Sequence, residues 1–130
     1  MADGDQTIVL TSETPHEGLN RIRNSNVWEM VITANFDADD TTDVTLAQPI
    51  NGVLRHVTIA VPNTTNAITT QLEIKDNGDN VVFDTGELAE NATYNFDVDL
   101  PLSGTIDFVV GVSGAVGASL SEIVVTVRGV

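Results

Sequence analysis

Strict two-residue alternation of apolar and polar side chains constrains this chain more than any other feature. In VWEMVITANF, Trp28, Met30, Ile32, Ala34 and Phe36 fall on one side, and Glu29, Thr33 and Asn35 on the other. In TYNFDVDL, Tyr94, Phe96, Val98 and Leu100 oppose Thr93, Asn95, Asp97 and Asp99. Successive side chains of an extended strand point to opposite faces, so both segments read as half-buried strands; a helix would scatter the same residues around its circumference. Further strands, rich in Val, Ile and Thr, are expected over residues 8–11, 43–46, 53–61, 68–75, 81–85, 105–112 and 120–128.

No window carries a convincing helical stripe. The nearest, TPHEGLNRIRNS, spaces Leu19 and Ile22 three apart but is broken by Gly18 and two asparagines, and it reads as an irregular arm. Short strands at near-regular spacing, separated by turn residues, predict an all-β fold: an antiparallel β-sandwich, jelly-roll-like, with an irregular N-terminal arm. Residues 1–26 are expected to form the N-terminal strand and arm, and 27–130 a single sandwich domain, a size that buries more than half of the unfolded chain's surface.

The Asn77-Gly78 pair sits between two such strands. A type I′ turn centred there sets Ile74 against Val81 and Leu72 against Phe83 on the inner face, with Lys75 opposite Asn80 and Gln71 opposite Asp84 outside. The acidic residues around it lack the glycine and glutamate spacing of an EF-hand loop.

Nineteen acidic residues face five Lys and Arg, for a formal net charge of -14. Such a chain repels phosphate backbones and anionic lipid, so nucleic acid and membrane are not expected partners. No apolar run is long enough to span a bilayer. Without cysteine there is neither a disulfide framework nor thiolate chemistry. The N-terminus lacks a basic n-region followed by an apolar h-region and does not read as a secretory signal, so the Asn63 and Asn91 glycosylation patterns read as chance matches.

Catalytic material is sparse. His16 falls in the arm, His56 in a strand, and no serine stands in a nucleophile-elbow context. No enzyme and no cofactor is expected. Metal ligation has one candidate, FDADDTTDV, where Asp37, Asp39, Asp40 and Asp43 crowd one loop; oxygen ligands at such spacing can hold calcium, and a solvated acidic loop is the competing meaning.

Two stretches suit a partner surface. Residues 108–121 carry no charge, and their tip, SGAVGAS, offers Ala115, Val116 and Ala118 for approach by another subunit. In the arm, Arg21 and Arg23 bracket Ile22, a basic and partly apolar segment suited to an acidic partner or to the body's own carboxylates.

From about Leu54 onward, VPNTTNA leading into a strand, a D-x-G hairpin followed by TGEL, ENAT before an alternating strand, and PLSGT before the next resemble the capsid decoration or cement proteins of tailed viruses. That resemblance implies a jelly-roll-like sandwich on the capsid exterior of the virion, assembled as a homotrimer and binding the major capsid protein without catalytic residues. Physically, many copies each burying a modest area would stabilise a lattice through multivalency. The alternative is a carbohydrate-binding or tail-associated adhesion sandwich.

Overall fold

The computed structural model describes residues 6–14, 27–117 and 121–130. Ten strands form two antiparallel sheets: β1 (Thr7–Thr14), β2 (Trp28–Phe36), β3 (Val44–Pro49), β4 (Gly52–Val61), β5 (Thr69–Lys75), β6 (Val81–Asp84), β7 (Leu88–Ala89), β8 (Ala92–Leu102), β9 (Thr105–Val112) and β10 (Ser121–Gly129). Sheet A runs β1-β2-β10-β4-β8; sheet B runs β3-β9-β5-β6, with the short β7 also pairing β5. The expected antiparallel sandwich is what forms, with one strand, β7, beyond those read from the sequence. β1 pairs along β2 from Thr7↔Asn35 to Thr14↔Glu29, so the N-terminal strand is an integral edge of sheet A.

Alternation explains the packing. Trp28, Met30, Ile32, Ala34 and Phe36 are all buried, and they meet Ile123, Val125 and Val127 of β10 and Leu54, Val57 and Ile59 of β4 on the same inner face. Sheet B answers with Leu72 and Ile74 of β5 and Ile106, Phe108 and Val110 of β9, all fully buried. The two inner faces thus supply one hydrophobic core. A bulge in β4 between Leu54 and His56 lets Leu54 and Val57, three apart, both point inward.

The β5–β6 hairpin departs from the expected register. Ile74 pairs with Phe83 and Lys75 with Val81, with an irregularity between, in place of Ile74 with Val81. The reason lies in the turn. The left-handed residue is Asp79 (φ 64°), whereas Asn77 and Gly78 keep negative φ, as the middle of a type I turn requires. Asp79 N donates to Asp76 O (2.9 Å) and Asp76 N to Asn80 O (2.9 Å), closing a three-residue loop with one extra residue on the β6 side. Val81 is thereby left half-exposed, while Phe83 meets Phe96 of β8 edge-to-face, ring centroids 5.4 Å apart.

Candidate functional site

The outer face of sheet B carries a shallow groove of about 90 Å³ lined by Asp43, Thr69, Gln71, Glu73, Glu87, Val109, Gly111, Val112 and Ser113. It arises from the same alternation that builds the core. With Leu72 and Ile74 turned inward, Thr69, Gln71 and Glu73 of β5 must face out; with Phe108 and Val110 inward, Val109 and Gly111 of β9 form the floor. Gly111 is what makes room for the Asp43 carboxylate at the floor. A Cβ there would come within 2.2 Å of Asp43 Oδ1, so the carboxylate of Asp43 lies in the space a side chain would fill.

The groove's polar groups are partly committed. Thr69 Oγ1 donates to Glu87 Oε1 (3.1 Å), Ser113 Oγ accepts from Thr69 N (2.9 Å), and Gln71 Nε2 donates to Asp84 Oδ1 (2.7 Å) at the rim. Among the described residues no side chain hydrogen-bonds the carboxylates of Asp43 or Glu73, both of which line the groove.

The proposed calcium loop is dispersed by the fold. Asp43 turns toward the groove on sheet B, whereas Asp40 is fully buried. Asp40 Oδ2 accepts from Asp37 N (2.7 Å), and Asp40 N donates to Asp37 O (3.0 Å), so this pair closes the turn between β2 and β3. Among the described residues no three acidic or histidine side chains converge as metal ligands.

At the uncharged tip the expectation is corrected at Val116. Val116 is fully buried, its carbonyl accepting from Asn66 N (3.0 Å) while Gly117 N donates to Ala38 O (3.0 Å). Ala115 O takes a further bond from Asn66 Nδ2 (2.9 Å). The loop is pinned over the end of the sandwich, and Val116 serves the core rather than a partner. Ala118, His16, Arg21, Ile22 and Arg23 lie outside the described residues.

A second polar cluster, not legible in the sequence, crosses the outer face of sheet A. His56 Nδ1 lies 3.0 Å from Asp97 Oδ1, and His56 Nε2 lies 3.1 Å from Thr58 Oγ1 and 3.2 Å from Asn95 Oδ1. Acid, imidazole and hydroxyl follow in the order of a nucleophile relay. The surroundings differ from one: Thr58 Oγ1 donates to Asn95 Oδ1 at 2.7 Å, Asp97 is 96% exposed, and the amides of β4 serve the ladders to β10 and β8. These contacts join adjacent strands, and the row continues to Arg128, which pairs with Glu29 at 2.6 Å. The sequence signal was available only after pairing: His56↔Asp97 and Thr58↔Asn95 are cross-strand neighbours in β4 and β8.

No family model matches the sequence, and no curated protein does. Among solved structures, the chain is similar in fold to a protein of the disulfide-linked pili that form Bacillus endospore appendages, at 16% identity over 99% of this chain and 93% of that one, TM-score 0.49. The carbohydrate-binding module TmCBM61, solved with β-1,4-galactotriose, aligns at 13% identity over 97% of this chain and 85% of that one, TM-score 0.46. The CBM36-1 domain of a xylanase from the hindgut metagenome of Trinervitermes trinervoides aligns at 13% identity over 97% and 98%, TM-score 0.46. At these identities the likeness concerns the β-sandwich alone.

Proposed function

We propose that this chain is a non-catalytic β-sandwich recognition module that binds carbohydrate in the groove on sheet B. The observation that carries the reading is the groove itself, a polar depression on a floor of paired strands, with two carboxylates, Asp43 and Glu73, that no described residue engages, beside the hydroxyls of Thr69 and Ser113. A sugar ring presents several hydroxyl donors, and carboxylates accept them in short, strong bonds. With Trp28 buried and Tyr94 donating its hydroxyl to Ala89 O (2.9 Å), no aromatic platform enters the groove, so recognition here is by hydrogen bonding.

The test is affinity electrophoresis and calorimetry against a panel of soluble neutral polysaccharides, with Gly111→Ala as the groove-blocked control. Retardation by at least one glycan, lost in the variant, supports the reading; binding to none, or binding indifferent to Gly111→Ala, overturns it.

The resemblance of residues 54–130 to capsid decoration proteins supports a second reading, in which the sandwich coats a virion. Saturable binding to undecorated capsids, unaffected by Gly111→Ala, would select it.

A further inference from the structure

Two asparagines stand in the acceptor pattern for N-linked glycosylation, in Asn63-Thr64-Thr65 and Asn91-Ala92-Thr93. The fold brings both to one end of the sandwich. Asn63 lies in the loop after β4, and Asn91 turns the chain from β7 into β8 with a left-handed φ of 58°, a conformation asparagine adopts more readily than most residues. The two loops are tied together. Asn91 N donates to Pro62 O (3.0 Å), Thr64 N donates to Glu90 Oε2 (2.9 Å), and Thr64 Oγ1 donates to the same oxygen. These bonds run through the backbone and through Thr64 and Glu90, and none of them uses an asparagine side chain.

That sets Asn63 and Asn91 apart from the other described asparagines. Asn51, Asn66, Asn77, Asn80 and Asn95 each commit the side-chain amide to a hydrogen bond, and Asn35 buries its Oδ1. Asn63 and Asn91 are exposed, and among the described residues nothing bonds to their side chains. Thr65 and Thr93, the hydroxyl residues of the two patterns, are exposed as well. A glycan is bulky and hydrophilic, so its acceptor has to stand in water and must not hold the fold through its side-chain amide. The two asparagines that carry the pattern are the described ones that meet both conditions.

We propose that Asn63 and Asn91 are N-glycan acceptors, so that this end of the sandwich carries two oligosaccharides on adjacent loops. In the reaction the asparagine Nδ2 attacks the anomeric carbon of an oligosaccharide held on a lipid pyrophosphate. The carbon–nitrogen bond forms, the bond from that carbon to the pyrophosphate oxygen breaks, the lipid pyrophosphate leaves with the electron pair, and a base of the transferase takes the amide proton. Acceptors of this kind belong to surface loops of secreted proteins, so the assignment implies export of the chain. It is independent of the sheet B groove, which neither pattern lines.

The experiment is peptide mass spectrometry of the chain isolated from the cells or particles that produce it. Glycan mass is expected on the peptides that hold Asn63 and Asn91 and on no other asparagine. Bare asparagine at either position in all molecules overturns the proposal, as does glycan on an asparagine the fold engages, such as Asn66 or Asn95. The chain is also produced behind a secretory leader in a glycosylating host, where Thr65→Ala and Thr93→Ala should each remove one glycan. Thermal unfolding of the doubly glycosylated chain, followed by circular dichroism, should match that of the variant carrying both substitutions; a glycosylated chain that loses the β spectrum overturns the proposal as well.

Discussion

The Asp43 carboxylate occupies the space above Gly111, its Oδ1 2.2 Å from where a Cβ would stand. A loop residue before β3 and a strand residue of β9 are thereby made parts of one surface. Gly111→Ala should push Asp43 aside and fill the groove floor, while the Phe108 and Val110 side chains on the other face keep the sandwich intact. Titration calorimetry is expected to show glycan affinity reduced by roughly 10-fold, about 1.4 kcal/mol, with the circular dichroism spectrum unchanged.

Gly104, in the connection from β8 of sheet A to β9 of sheet B, packs against Asn77 of the β5–β6 turn. Its φ is 93°, and a Cβ would stand 2.7 Å from Asn77 Cγ, whose amide oxygen accepts from Thr105 N (3.1 Å). Gly104→Ala therefore combines a left-handed penalty with a steric one and should lose about 1–3 kcal/mol in urea unfolding. Gly86, also at positive φ (69°) but with open space around it, should lose less on the same substitution, since only the backbone term applies.

Val116 provides a test of which part of the uncharged loop is structural. Val116→Ala removes buried methyl groups and should lower stability by about 2–3 kcal/mol. Ala115→Ser, at a half-buried neighbour, should leave the unfolding midpoint nearly unchanged. Equal effects at the two positions would contradict the packing described.

The Asp76 side chain ties the β5–β6 turn, Oδ1 accepting from Gly78 N (3.0 Å) and Asn80 N (2.9 Å). The Asn80 backbone bond, joined by those from Gly78 N and the Asn80 side chain, holds its carboxyl below the ordinary value of 3.8 against a smaller opposing effect of burial. A folded-state value below the unfolded one means the contribution is fully present above the unfolded value. It is lost as pH falls from about 3.8 through the folded value. The difference in melting temperature between the native chain and Asp76→Ala should accordingly be constant near neutrality and shrink in acid, as followed by circular dichroism.

Alternation was enough to determine the long strands and their inner faces, though not β7 or the inward side of β6, because a two-residue period admits no other regular structure and apolar area must leave water. Trp28 to Phe36 and Tyr94 to Leu100 could be assigned to the core before any pairing was known, although β8, an edge strand among the described residues, buries its row only halfway. What the alternation does not contain is the partner of each strand. The groove needs Asp43, β5 and β9 to meet, and the His56 row needs β4 beside β8, contacts between residues 26 to 68 positions apart or 39 to 41 positions apart that no local pattern encodes. The same limit misplaced the hairpin register, where Asp79 rather than Gly78 takes the left-handed conformation and shifts the β6 side by one residue at Lys75, and the irregularity between Lys75 and Ile74 shifts it by a second. It also placed Val116 on the surface: composition marked that loop as small and uncharged, and only the closure of the sandwich end, with Asn66 and Ala38 holding the loop down, decided that its one branched side chain lies inside.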